Sequence, residues 1–171
     1  EPSPVVSPAR PRPALVDVAD LVGFNFTYYS DGNRNRFFLP EVMGGGAAWL
    51  DYDADGRLDL FVTNGCVLSA GTQDSEHSGH LFRNQPNTTF VDVTGHSVAR
   101  DTGYGQGVSA ADYDNDGFVD LYVTHYGGNR LWRNAGDGTF SEQTESARLG
   151  SGGWSTSCAF GDLDRDGDVD L

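Results

Sequence analysis

From residue 15 onward, apolar and polar side chains alternate with a period of two. No stretch keeps its apolar residues at the three-and-four spacing of an amphipathic helix. Residues 15–18, 58–62, 89–93 and 119–123 therefore predict short strands. Clusters of Gly, Asn, Asp and Ser between them predict turns. The pattern is that of an all-β chain.

The alternation is organised into a longer repeat. Leu60-Phe61-Val62-Thr63-Asn64 is matched by Leu121-Tyr122-Val123-Thr124-His125, and His80-Leu81-Phe82-Arg83-Asn84 by Arg130-Leu131-Trp132-Arg133-Asn134. The phrase at 89–94 is matched at 139–144 and echoed a third time at 15–19. A run of small, glycine-rich residues opens each unit, at 44–50, 105–111 and 152–161, so the repeats begin near 44, 105 and 153. Each unit thus carries four strand-like elements in about 50–60 residues, the size of one four-stranded antiparallel propeller blade. Small side chains suit the innermost strand, where blades crowd the axis. The expected fold is all-β, with two full propeller-type blades and the opening of a third.

Between the first and second strand of each unit stands one acidic phrase, Asp-x-Asp-x-Asp-Gly-x-x-Asp-Leu. Its copies are Asp51, Asp53, Asp55, Gly56 and Asp59; Asp112, Asp114, Asp116, Gly117 and Asp120; and Asp162, Asp164, Asp166, Gly167 and Asp170. Four carboxylates in nine residues repel one another unless a cation lies between them. An all-oxygen set is suited to Ca²⁺, whereas Mg²⁺ keeps its waters and takes fewer carboxylates. Aspartates at positions one, three, five and nine are the expected ligands, with the position-seven carbonyl of Arg57, Phe118 or Asp168 as a backbone ligand. Glycine at position six answers a turn that needs positive φ. An EF-hand begins similarly, but it needs Glu at position twelve and flanking helices. Position twelve here is Val62 or Val123, and the flanks alternate as strands.

Charge supports this local reading. The 171 residues carry a net charge of −14, and the twelve phrase aspartates supply nearly all of the excess. No basic patch favours nucleic acid, and no apolar run approaches the length of a membrane span. Residues 1–14 hold five prolines and read as a semi-rigid linker preceding the propeller at 15–171. Cys66 and Cys158 are left open as bridged or free.

The acidic loop, the glycine-rich strand before it and the Leu-Phe/Trp-Arg-Asn phrase resemble FG-GAP/VCBS repeats, the calcium-bearing blades of integrin-α-like propellers. Asp137-Gly138-Thr139-Phe140 and the run from Pro40 to Gly46 look most like the ASPIC/UnbV, cartilage-acidic-protein-like branch. The resemblance implies Ca²⁺ on the loop aspartates. It also implies that 15–19 is an outer strand closing the last blade. Such a ring needs about seven blades, so the chain is expected to be a fragment of a longer protein, cut in its third blade at Leu171.

Other chemistry is weakly signalled. Gly44-Gly45-Gly46 lacks the Gly-Lys-Ser/Thr of a phosphate loop, and the four histidines, His77, His80, His96 and His125, have no metal-ligand spacing. Ser155, Ser157 and Cys158 lack a nucleophile elbow. Trp49, Trp132 and Trp154 are expected mainly to pack between blades. Asn25 and Asn87 lie in glycosylation-type triplets. The function expected is a secreted (extracellular or periplasmic), calcium-binding scaffold or binding module for a protein or glycan, without catalysis of its own. The alternative is a segment of a secreted polysaccharide-processing enzyme built on a propeller.

Overall fold

A computed structural model describes residues 14–32, 38–68, 76–97, 100–150 and 152–171. Apart from Ala14, the proline-rich stretch lies outside the described residues.

Two sheets of antiparallel strands form the body. The first blade contains β1 (Ala47–Leu50), β2 (Asp59–Val62), β3 (His80–Asn84) and β4 (Phe90–Asp92) in that spatial order. The second contains β5 (Tyr104–Ala111), β6 (Asp120–Gly128), β7 (Arg130–Asn134) and β8 (Phe140–Glu142), likewise in order. Each blade is the up-and-down meander that period-two alternation and short polar turns dictate. The described residues also include a 3-10 turn at Leu39–Val42 and one α-turn, α1, at Thr94–Ser97.

Sequence-equivalent residues do equivalent work in both blades. Thr94 and Thr144, which end the matched phrases, each accept the N–H of a third-strand leucine, Leu81 at 2.9 Å and Leu131 at 3.0 Å. These bonds tie the turn after the fourth strand back onto the sheet.

The blades meet face to face. Ala48, Leu50, Tyr52 and Phe61 of the first blade and Leu121, Val123, Trp132 and Phe140 of the second belong to one buried cluster. Burying large apolar side chains here supplies about 2 kcal/mol each. Asn134 Nδ2 donates to the Tyr52 carbonyl at 2.8 Å across the interface, and Gly105 N–H to the Asn64 carbonyl at 2.8 Å. The innermost strands run so close that a Cβ on Gly46 would stand 2.8 Å from the Gly107 Cα. Gly45, Gly46, Gly105 and Gly107 are therefore a packing requirement, whereas a Cβ on Gly44, Gly152 or Gly153 would meet nothing within 4 Å.

Two strand expectations need correction. Residues 15–18 form no strand among the described residues. Leu15 and Val16 are exposed, and the chain turns at once through Val22 N–H to Val18 O and Phe24 N–H to Ala19 O. Alternation alone does not make a strand when no neighbouring edge takes up its N–H and C=O groups. The chain beyond it lies on the first blade instead, with Phe24 4.7 Å from Phe82 and Phe90 N–H bonded to the Val22 carbonyl.

The third glycine-rich run also behaves differently. Its start, β9 (Gly152–Trp154), pairs with the end of β6, so that Trp154 lies opposite Tyr126. Residues 155–160 then run on without regular structure to a single bridge, Gly161 with Asp170. Cys66 and Cys158 are not bridged to one another, and burial pushes the Cys158 thiol up to about 11.

Candidate metal centre

All three acidic loops follow one backbone path. In each, an antiparallel pair closes the loop: Leu50 with Asp59, Ala111 with Asp120, and Gly161 with Asp170. Two residues within it have left-handed backbone. Position six is glycine, with φ of 83°, 93° and 98° at Gly56, Gly117 and Gly167, as the turn requires. Position four is also left-handed, at Ala54 (55°), Asn115 (57°) and Arg165 (66°), although none of these is glycine.

That path turns backbone N–H groups toward the carboxylates. Asp51 accepts from Asp55 N–H at 3.0 Å and Gly56 N–H at 2.8 Å, and Asp112 accepts from Asp116 and Gly117 at the same distances. Asp162 accepts from Arg165 N–H at 2.6 Å and Gly167 N–H at 3.3 Å. The N–H of position two binds the carboxylate of position nine: Tyr52 to Asp59, Tyr113 to Asp120 and Leu163 to Asp170, at 3.2, 3.0 and 2.8 Å.

Positions one, three and nine converge. Asp51, Asp53 and Asp59 each bring one carboxylate oxygen within 4.8 Å of the others, as do Asp112, Asp114 and Asp120, and Asp162, Asp164 and Asp170. Position five stands outside these triads. Asp55, Asp116 and Asp166 instead accept the position-seven N–H of Arg57, Phe118 and Asp168, at 3.0, 3.0 and 2.9 Å.

Electrostatics make the first two triads costly as they stand. Asp59 and Asp120 are fully buried, and burial pushes both carboxyls up to about 6 despite two backbone donors each. Burial raises Asp53 as well, against the opposing charge of Arg83. Asp53 Oδ1 is buried with no hydrogen-bond partner. A hard cation fits this set: the donors are all oxygens, the charges need compensation, and one buried oxygen lacks it.

The sequence reading passed over the residues that support the loops from outside. Asn84 N–H and Asn134 N–H donate to the second oxygens of Asp59 and Asp120, both at 2.7 Å. Arg83 and Arg133, one residue earlier in each strand, pair with positions three and five. The recurring Arg-Asn pair was the available signal, since its spacing from the loop differs between the repeats while its order does not.

Away from the loops, a buried polar cluster joins Asp101 to His125 Nε2 at 2.7 Å, Arg130 Nη1 at 3.3 Å and Trp132 Nε1 at 3.4 Å. Trp132 is buried, whereas Trp49 is 57 % and Trp154 36 % exposed. Trp154 meets Tyr126 edge to face at 6.0 Å.

Residues 51–123 and 112–171 each match the profile of FG-GAP-like repeats. The two overlapping units each begin on an acidic loop, and together they take in all three. No curated protein matches the chain.

Proposed function

This chain belongs to the FG-GAP-like repeat family, and we propose on that footing that its three loops bind Ca²⁺ within a secreted β-propeller segment that serves as a scaffold or binding module. The observation that carries the calcium reading is the recurrence of one oxygen triad in three loops, with buried carboxylates in two of them. Asp51, Asp53 and Asp59, Asp112, Asp114 and Asp120, and Asp162, Asp164 and Asp170 would hold the ions. The bound ion would supply positive charge where the fold confines negative charge, linking metal to folding. The carbonyls of Arg57, Phe118 and Asp168 and the carboxylates of Asp55, Asp116 and Asp166 are proposed to complete each shell.

An extracellular or periplasmic compartment suits loops of this kind, because millimolar Ca²⁺ there saturates weak sites. The ASPIC/UnbV-like assignment within the family rests on the Pro40–Gly46 and Asp137–Phe140 phrases. A protein or glycan ligand is supported by the exposed aromatic pair Tyr126 and Trp154, where β9 meets the end of β6. Among the described residues, no helix is long and apolar enough to cross a membrane.

Thermal melting of the chain in Ca²⁺ and in chelator, with metal analysis of both samples, tests the calcium reading. The expected outcome is a higher melting temperature with ion bound. Coincident curves without bound metal would overturn it.

A further inference from the structure

Each of the first two loops is met by a guanidinium from outside it. Arg83, on β3, places Nη2 2.6 Å from Asp53 Oδ2 and 3.1 Å from Asp55 Oδ2. Arg133, on β7, places Nε 2.5 Å from Asp114 Oδ2 and Nη2 2.5 Å from Asp116 Oδ2. The two arginines are the same residue of the repeat. Each bridges positions three and five, carboxylates that otherwise repel. Each is aimed by its neighbour, Asn84 or Asn134, whose N–H is bonded to position nine of the same loop. Asp53 commits Oδ2 to Arg83 and leaves Oδ1 buried without a partner.

We infer that Arg83 and Arg133 are tethered counter-cations, which hold the acidic loops together when no ion is present and thereby lower the loops' affinity for Ca²⁺. The inference rests on the calcium reading above. Without an ion, the guanidinium offsets part of the repulsion among the loop carboxylates. Once a divalent cation enters, those carboxylates are compensated and the ion repels the guanidinium. The arginine therefore stabilises the ion-free loop more than the loaded one, and by linkage that difference opposes ion binding. The first loop has a second guanidinium, Arg57 on Asp55, where the second loop has Phe118. Arg133 thus carries more of its loop's compensation than Arg83 does.

The test uses the full chain and its R83Q, R133Q and R133K variants. Ca²⁺ affinity is read by displacement of Tb³⁺, whose luminescence is sensitised by Tyr52 and Tyr113 beside the first aspartates. Hydrogen exchange of peptides spanning 51–59 and 112–120 is read in chelator and in saturating Ca²⁺. R133Q is expected to speed exchange of its loop in chelator, to recover wild-type protection in Ca²⁺, and to bind Ca²⁺ about two- to fivefold more tightly. R83Q shows the smaller change. R133K falls between, since lysine keeps the charge but not the fork. Wild-type exchange of R133Q in chelator, or affinity that is unchanged or weaker, overturns the inference. A wild-type chain that takes up neither Tb³⁺ nor Ca²⁺ overturns the calcium reading instead, and exchange in chelator then still decides whether the arginines hold the loops.

Discussion

Asp101 shows how much of this fold rests on single polar residues. Its carboxylate is fully buried, and burial alone would raise its pKa. The charge and hydrogen bond of His125, together with Arg130 and Trp132, outweigh that and hold it below the ordinary carboxylate range. A depressed carboxyl stabilises the fold above its unfolded pKa, and that contribution is lost as pH falls through the folded value. Asp101→Asn leaves His125 and Arg130 without their anion and is expected to cost about 3 kcal/mol near neutral pH. Urea denaturation across pH checks this, and the variant should also lose the acid-side decline that Asp101 contributes. Nothing in the sequence marked Asp101, because its partners lie 24 to 31 residues away and meet it only through folding. In the loops, by contrast, glycine at position six announced its positive φ. The equal requirement at position four was hidden, since Ala54, Asn115 and Arg165 share no chemistry that reports it.

At the scale of the element, strands flanked by a turn and a partner in the next phrase were readable from alternation alone. β2, β4 and β6 fall within or begin inside the predicted runs, and the four-strand count per repeat holds in both sheets. Residues 15–18 alternate equally well, yet they form no strand, because strand formation depends on an available edge as well as on pattern. Similarly, Gly152–Trp154 follows the long β6 and not the loop that comes after it. The glycine-rich openings were legible as crowding at the innermost strand, but not which residues meet there. Their reason is the approach of β1 to β5, where Gly46 faces the backbone of Gly107 and Val108. Gly46→Ala would set its Cβ 2.8 Å from Gly107 Cα and 3.0 Å from Val108 N. Backbone cannot give way as a side chain can, so a loss of about 1–3 kcal/mol is expected. Equilibrium denaturation of the variant measures it, and a stability equal to wild type would show that the blades separate more easily than this packing implies.

Across the described residues, one buried interface joins two blades and one acidic loop path recurs three times. The sequence carried this architecture because repetition turns a weak local pattern into a strong one: each phrase predicted the role of its counterpart. It carried the triads less fully. All four aspartates of each phrase were expected as ligands, and only the folded loop separates position five from positions one, three and nine. The proposed calcium sites are these triads, and the loops that hold them carry most of the chain's excess negative charge. Calorimetric titration of chelator-stripped chain with Ca²⁺ tests the calcium proposal most directly. Saturation near three ions per chain is expected, one for each triad. A titration without binding heat, with no calcium retained after dialysis, would contradict it.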